Sequence, residues 1–318
     1  GSEVGLAHFP KGLTGSDSDT YAKISGEPPL KKAMTNLTSV RRLFESSKID
    51  FVYHAAAHKH VPLMEANPHE AVHNNLQGTL NLAQESVASG VKRFIMVSTD
   101  KAVNPKNVMG YTKRLAELIG QSFSGQATSF VSVRFGNVLA SNGSVIEIFS
   151  KQIAAGGPVT VTHPEAVRYF MTIPEAVELI LQAGSHGEEG QVYLLEMGAP
   201  VSITQLAQKM IRLSDPTGVQ NIKIEFSGLR PGEKIFEELI ADGEHVIPSS
   251  IEKVFVLKRK PITSNIEAEI KDLIQSQHLD NAQLIIKLRK TLEKIERPTR
   301  NLSKPEIHSR QVDKMATF

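Results

Sequence analysis

From Asn36 onward the hydrophobic positions fall into two alternating textures. Short apolar runs, which predict buried strands, occur at residues 50–54, at 93–97 and at 129–134, the last with Val and Ser alternating. Longer stretches at helical spacing separate them. Val40, Leu43 and Phe44 mark a first helix, and residues 68–88 a second, opened by Pro68 and closed by Gly90. Residues 108–123 predict a third. Strands that alternate with long helices imply βαβ units and a parallel sheet. After Asn137 the segments shorten, punctuated by Gly143, Gly156, Gly157, Pro158 and Pro164. Helices are expected over 145–155, 174–183 and from Ser202 through Leu213, with strands at 159–161, 191–195 and 222–224. Residues 265–277 and 279–295 interleave Leu and Ile with charges and predict an amphipathic helix pair. Residues 1–35 carry no period and are expected to be loop or weakly ordered, and the polar tail 297–318 to fray. The pattern thus divides the chain into 1–35, an α/β unit over 36–140, a lobe over 141–260 interleaved with the sheet, a helix pair within 261–296 and the tail 297–318.

Composition narrows the function more than the fold. Of 318 residues, 36 are Lys or Arg and 34 are Asp or Glu, a net charge of +2, so no strong field points to nucleic acid or an anionic membrane. The chain has no cysteine, which removes disulfides, thiol catalysis and Cys-zinc sites and fits a reducing, cytoplasmic setting. No apolar run approaches the roughly 18 residues that span a bilayer. Because the chain opens on Gly1 rather than Met, the expectation is that its natural N-terminus lies upstream, as it would in the soluble part of a membrane-anchored relative.

The candidate chemistry sits where the 93–97 strand ends in Ser98-Thr99-Asp100-Lys101, followed by a loop with Pro105 and a helix carrying Lys113. In open α/β sheets, ligands bind beyond the carboxyl ends of the strands, so these groups face one crevice. Buried together, Asp100 and Lys101 perturb each other: desolvation pushes a lysine towards the neutral base, and an aspartate can be retained as an acid. The competing reading is a solvated loop ion pair of little consequence. At the end of the 50–54 strand, Ala55, Ala56 and Ala57 let a large ligand approach the backbone, or merely fill a tight turn. His58, Lys59 and His60 add basic groups there, but two histidines without a third ligand predict no metal. Asn74, Asn75 and Gly78 interrupt a helix at a cost of roughly 1 kcal/mol for the glycine, which suggests a close neighbour, whether strand or cofactor. In the turn 229–234, Arg230 suits a bidentate grip on phosphate, and the same holds for Arg168; a surface salt bridge is the alternative for both. Met109, four residues before Lys113, shares its helix face, whereas Tyr111 points elsewhere.

These residues bring a resemblance with them. The text HAAAHKHVPLMEANPHEAVHNN, then FIMVSTDKAVNPKNVMGYTKRLAE, VRFGNVLASNGSVIEIFSKQI, GGPVTVTHPEAVRYFMTIPEAVELI and GLRPGEKIFEELI resembles the CapD-like polysaccharide-biosynthesis family of UDP-N-acetylglucosamine 4,6-dehydratases, within the extended short-chain dehydrogenase/reductase superfamily. The likeness runs in order from about residue 51 to about residue 257. It implies a Rossmann-like, doubly wound parallel sheet with a smaller substrate-binding lobe and C-terminal helices. It implies NAD as cofactor, a UDP-N-acetylhexosamine as substrate and a homo-oligomer as a possible state. In the implied reaction, C4 of the sugar is oxidised, the C5 proton is removed, the C6 hydroxyl leaves as water and hydride returns to C6. By position Lys101 would be the C5 base, Asp100 the acid at C6, and Thr99 would hydrogen-bond the C4 oxygen. Lys113 would hold the nicotinamide ribose, with Ala55, Ala56, Ala57, Asn75 and Ser98 lining the cofactor. Asn137 and Arg230 would hold the nucleotide diphosphate, with Lys59, Arg168 and Glu233 nearby.

The chain departs from that family in two places. Most of the superfamily has Tyr where Met109 stands, and a thioether cannot relay the C4 hydroxyl proton. The long, membrane-anchored branch of the family also carries Met there. The family opens with a strand and a glycine-rich turn whose helix N-terminus takes the NAD pyrophosphate. No such motif stands before residue 36, so the first βαβ unit is expected to be incomplete and the chain as written to hold NAD weakly. Three readings follow: a dehydratase, a UDP-sugar-binding remnant without a working cofactor site, and an epimerase of the same superfamily.

Overall fold

The computed structural model of the protein describes residues 34–139, 141, 143–218, 221–258 and 265–296. The expectations for residues 1–33 and 297–318 fall outside these. Helix α1 (Leu37–Ser46) starts on Asn36, whose side chain accepts from Ser39 N, and buries Val40 and Phe44. Strand β1 (Phe51–His54) leads into α2 (Val61–Ala66) and α3 (Pro68–Ala71). A π-helical turn at Val72–Gln77 and α4 (Gly78–Ala88) carry the chain on to β2 (Arg93–Val97). Helix α5 (Val108–Ser122) joins β2 to β3 (Ser129–Arg134). Register fixes both pairings as parallel, with Val52 opposite Phe94 and Phe94 opposite Phe130.

The lobe that follows is built from small pieces. Strand β4 (Asn137–Val138) pairs β7 (Phe170–Met171), and β6 (Val167–Arg168) pairs β9 (Val201–Ser202). Helices α6 (Val145–Ala154) and α8 (Ile203–Ser214) cover β5 (Val159–Val161) and its parallel partner β10 (Ile224–Phe226), around Phe149, Ile153, Val159 and Ala207. Helix α7 (Ile173–His186), opened by a Thr172–Glu175 capping box, returns to the main sheet as β8 (Val192–Leu195). Strands β11 (His245–Pro248) and β12 (Val254–Lys258) then extend that sheet, and helices α9 (Ile266–Ile274) and α10 (Asn281–Glu296) close the described chain.

The sheet order is β1-β2-β3-β8-β12-β11, parallel through β8 and antiparallel beyond it. Alternation along a strand sends successive side chains to opposite faces. Phe94 and Met96 join α4, α5, α9 and α10 on one face, while Ile95 joins α7 on the other. This is the doubly wound α/β architecture expected, with two additions. The antiparallel edge β12–β11 is not legible in the periodicity, since β11 is a short, half-exposed strand ending in Pro248, as suits an edge. Helix α2, with Pro62 in its first turn, lies within the run read as a basic edge. The strand expected at 222–224 sits two residues later. The close neighbour that the structure gives Gly78 is the Met34 side chain, whose end a Cβ there would approach to 2.9 Å. Among the described residues, β1 has a strand neighbour on one side alone, and Phe51 is 49% exposed. No described helix is long and apolar enough to cross a membrane.

Candidate active site

The carboxyl ends of β1, β2 and β3 open on one edge, and the chain beyond β2 stays stitched to β3. Ser98 N donates to Val133 O at 2.7 Å and Asp100 N to Phe135 O at 3.0 Å. Asp100–Ala102 then forms one 3₁₀ turn, capped by the Thr99 side chain. Helix α5 is pressed against it, because at Gly110 a Cβ would strike the Lys101 carbonyl oxygen. Asn107 caps α5 through Gly110 N and donates its amide to Gly232 O at 2.8 Å. Lys234 Nζ reaches Val103 O at 3.0 Å, and Asn104 reaches Glu238 at 3.2 Å. These three ties lay the 232–238 segment across the turn and set Glu237 beside Lys101.

The result is a compact charged group. Lys101 Nζ donates to Asp100 Oδ1 at 3.0 Å and to Asn137 Oδ1 at 3.2 Å, and stands 3.7 Å from Glu237 Oε1. Thr99 Oγ1 donates to the same Asp100 oxygen at 2.8 Å. Asp100 is fully buried, and Asp100 Oδ2 and Glu237 Oε2 meet no hydrogen-bond partner among the described residues. The geometry reverses one expectation. Burial alone would push the Lys101 amine down, but Asp100 and Glu237 together hold it above the ordinary lysine value, against a smaller opposing push from Arg168. Lys101 is therefore an ammonium at neutral pH, not a ready base.

Lys113 shows the opposite balance. Its Nζ donates to Val97 O at 2.6 Å, and burial outweighs the attraction of Glu117, lowering its pKa to about 8. His54, buried against Thr79 and beside Lys113, is lowered to about 3 and stays neutral. Met109 is buried in the apolar cluster on the α5 face, and Tyr111 sits in the same cluster, where burial above all raises its phenol over the ordinary value. Ser98 Oγ donates to Glu117 Oε1 at 2.5 Å. Glu117 is in turn gripped by the fully buried Arg134, whose guanidinium also holds Glu244, while Arg114 links Glu117, Glu244 and Glu296. Ser98 is thus anchored backwards into this ion network.

At the β1 end Ala55 is exposed and Ala56 and Ala57 are half-buried. Asn75 does not line that surface directly. Its amide donates to His58 O and Thr112 Oγ1 and accepts from His58 N and Asn74, so it clamps the loop after the alanines from behind. Lys59 lies exposed on the same loop. Arg168 donates to the carbonyls of Val167, Lys234 and Ile235 and to Glu233, which makes it a brace of the turn that carries Arg230. Glu233 accepts from Arg168, Thr162 and Arg230 N, which holds the turn and leaves the Arg230 side chain exposed at its tip. Of the residues expected from sequence, Thr99, Asp100, Lys101 and Asn137 come together. Glu237 was missed, and the available signal was its place in the same GLRPGEKIFEELI motif as Arg230.

Comparisons with known proteins show the family and the fold. Over 266 residues the chain is 51% identical to the capsular polysaccharide biosynthesis protein CapD of Staphylococcus aureus, covering 83% of this chain and 44% of that protein, so it spans less than half the length of that relative. It is 36% identical over 219 residues to a UDP-glucose 4-epimerase of Rickettsia akari, covering 67% of this chain and 63% of that protein. The X-ray structure of Pen from Bacillus thuringiensis superposes with a TM-score of 0.66 at 33% identity, covering 78% of this chain and 81% of that one. Chains of the same fold at 19–22% identity include several solved with NAD bound. The sequence model of the family described as "Polysaccharide biosynthesis protein" matches residues 22–259, and the chain belongs to that family.

Proposed function

We propose that the chain carries the catalytic centre of a nucleotide-sugar 4,6-dehydratase acting on a UDP-N-acetylhexosamine with NAD. The observation that carries this reading is the chain of hydrogen bonds Thr99–Asp100–Lys101–Asn137 at the end of β2, with a buried carboxylate oxygen still unpartnered. A buried polar atom without a partner is costly, and such costs concentrate where a site must work. Three alanines at the end of β1 and a buried lysine amine at Val97 O fit the nicotinamide-ribose end of the cofactor. NAD, when bound, supplies the hydride acceptor and donor.

The chain's own residues then move protons. Asp100, ion-paired with Lys101, starts as a carboxylate. Thr99 donates to Asp100, so a C4 hydroxyl bonded to Thr99 would pass its proton through it to Asp100. That route supplies what Met109 cannot. Protonated Asp100 gives the same proton to the departing C6 hydroxyl, which leaves as water. Lys101, once neutral, takes the C5 proton and returns it to C5 after hydride reaches C6. Arg230, on the turn braced by Arg168 and Glu233, holds the diphosphate. An epimerase has no use for an acid at C6 and a base at C5, and a binding remnant has no use for a buried acid–lysine pair.

The test is formation of a 4-keto-6-deoxy sugar from UDP-N-acetylglucosamine and NAD, followed by mass and NMR. General acid–base groups contribute about 100- to 10,000-fold, so Lys101→Ala should lose turnover by that factor while calorimetry finds UDP-sugar binding nearly intact. Equal turnover in Lys101→Ala removes its role. A wild type that binds UDP-sugar but makes no keto sugar at saturating NAD favours the binding remnant.

A further inference from the structure

Lys101 poses a problem for the reaction just described. A protonated amine cannot take a proton from C5, and the amine is protonated because two carboxylates surround it. Asp100 cannot relieve it, since in the same cycle Asp100 must carry the proton destined for the C6 hydroxyl. Asn137 accepts a hydrogen bond but no proton. Arg168, the other charged group that acts on Lys101, is a cation whose donors are committed to backbone carbonyls and Glu233. Glu237 remains. Its side chain is 4% exposed, Oε1 lies 3.7 Å from Lys101 Nζ, and Oε2 is buried without a partner. A shift of about half an ångström would bring the nearer oxygen within hydrogen-bond distance.

We propose that Glu237 is the proton store of Lys101: it takes the ammonium proton as the sugar binds, frees the amine to act at C5, and gives the proton back when the cycle ends. This rests on the dehydratase reading and adds a residue to it. The step balances. Lys101 ammonium and Glu237 carboxylate become amine and carboxylic acid. The amine takes the C5 proton and becomes ammonium. After hydride reaches C6, that ammonium returns its proton to C5, and the Glu237 acid returns its own to the amine. Glu237 acts through Lys101 and does not touch the sugar. The three ties from the 100–107 loop to Gly232, Lys234 and Glu238 are what keep it in reach.

The experiment compares wild type with Glu237→Gln, which keeps size and amide polarity but cannot take a proton. With ¹⁵N-lysine labelling, and Lys101 assigned from its absence in Lys101→Ala, the Lys101 titration in Glu237→Gln should move down by at least one pH unit. At neutral pH the kcat for keto-sugar formation should fall at least 100-fold with KM for the UDP-sugar within twofold, and C5 deuterium uptake from D₂O should fall with it. As pH rises towards the Lys101 midpoint, kcat of Glu237→Gln should climb about tenfold per unit, because the amine then loses its proton to solvent. Glu237→Asp should recover turnover to within about tenfold of wild type. An unmoved Lys101 titration, an unchanged kcat, or a lost kcat that no pH restores overturns the proposal. If Glu237→Gln does not fold, the wild type decides: on saturation with UDP-sugar at neutral pH the ¹³C signal of the Glu237 carboxyl must move to the protonated position while the ¹⁵N signal of Lys101 moves to that of a neutral amine, and a Glu237 carboxyl that stays ionised in the complex overturns it. A wild type that forms no keto sugar removes the dehydratase reading instead, and that result is separate from either titration.

Discussion

Replacing Lys113 with methionine should make the protein more stable at neutral pH and unable to hold the cofactor ribose. An ordinary lysine titrates at 10.5 and Lys113 at about 8, because burial outweighs the attraction of Glu117. That difference of about 2.5 units, at about 1.36 kcal/mol per unit, is a cost of ~3 kcal/mol for carrying the charge in the folded protein. Methionine removes the cost but also the 2.6 Å bond to Val97 O, which contributes roughly 1 kcal/mol, so the net gain is about 2 kcal/mol. The pH dependence identifies the cause. Below about pH 8 both folded and unfolded Lys113 are protonated, and the variant keeps its full advantage. Between about 8 and 10.5 the folded state has released the proton while the unfolded state keeps it. Stability of the wild type therefore rises with pH across that window, and the advantage of the variant shrinks to nothing near pH 10. Urea unfolding of both proteins at several pH values measures the difference directly, and the other titrating groups cancel. A variant less stable than wild type at neutral pH, or a difference that stays flat from about pH 7 to 10, refutes the argument. Loss of function with a gain in stability is the pattern expected of a residue kept for its chemistry.

The ion network behind Ser98 should behave in the opposite way. Arg134→Met strands the buried carboxylates of Glu117 and Glu244 and should cost about 3–5 kcal/mol in urea unfolding; a loss under about 1 kcal/mol would mean that Arg114 alone suffices. Arg230→Ala removes a charge-assisted bond worth about 1.5–3 kcal/mol and should weaken UDP binding roughly 10- to 100-fold with kcat little changed, as calorimetry and steady-state rates will show. Unchanged UDP affinity takes Arg230 out of the site. Arg168→Ala, by contrast, should lower stability as well as affinity.

The first half of the fold was legible because its strands and helices announce themselves by period. Residues 93–97 and 129–134 match β2 and β3, and residues 108–123 match α5 to within a residue. What failed was whatever depends on distant partners. Strand β11 has neither length nor alternation to mark it, and it becomes a strand only by pairing with β12. The brace that Arg168 forms with the carbonyls of Lys234 and Ile235 closes over more than sixty residues and has no local signal. Thr99, Asp100 and Lys101 were visible as a cluster since they adjoin in sequence, but the second carboxylate that joins Asp100 in holding the charge on Lys101 was not, because Glu237 arrives from a distant segment. Beyond residue 140, β8 and β12 continue the row begun by β1, β2 and β3.

The long reach of these contacts also sets an order in time. Arg134 meets Glu117, 17 residues earlier, as soon as both are made, but its second partner Glu244 is 110 residues later. At about 5–20 residues per second, a ribosome takes roughly 5–20 s to cover that interval. Throughout it the guanidinium is half paired, and the turn at Asp100–Ala102 lacks the brace that Lys234, 131 residues beyond Val103, later supplies. Contacts closed over such distances form late, because the loop must be ordered before the contact repays it. A nascent chain therefore makes β1, β2 and β3 well before it owns an active site, and the charged group around Lys101 is assembled only when the second half docks.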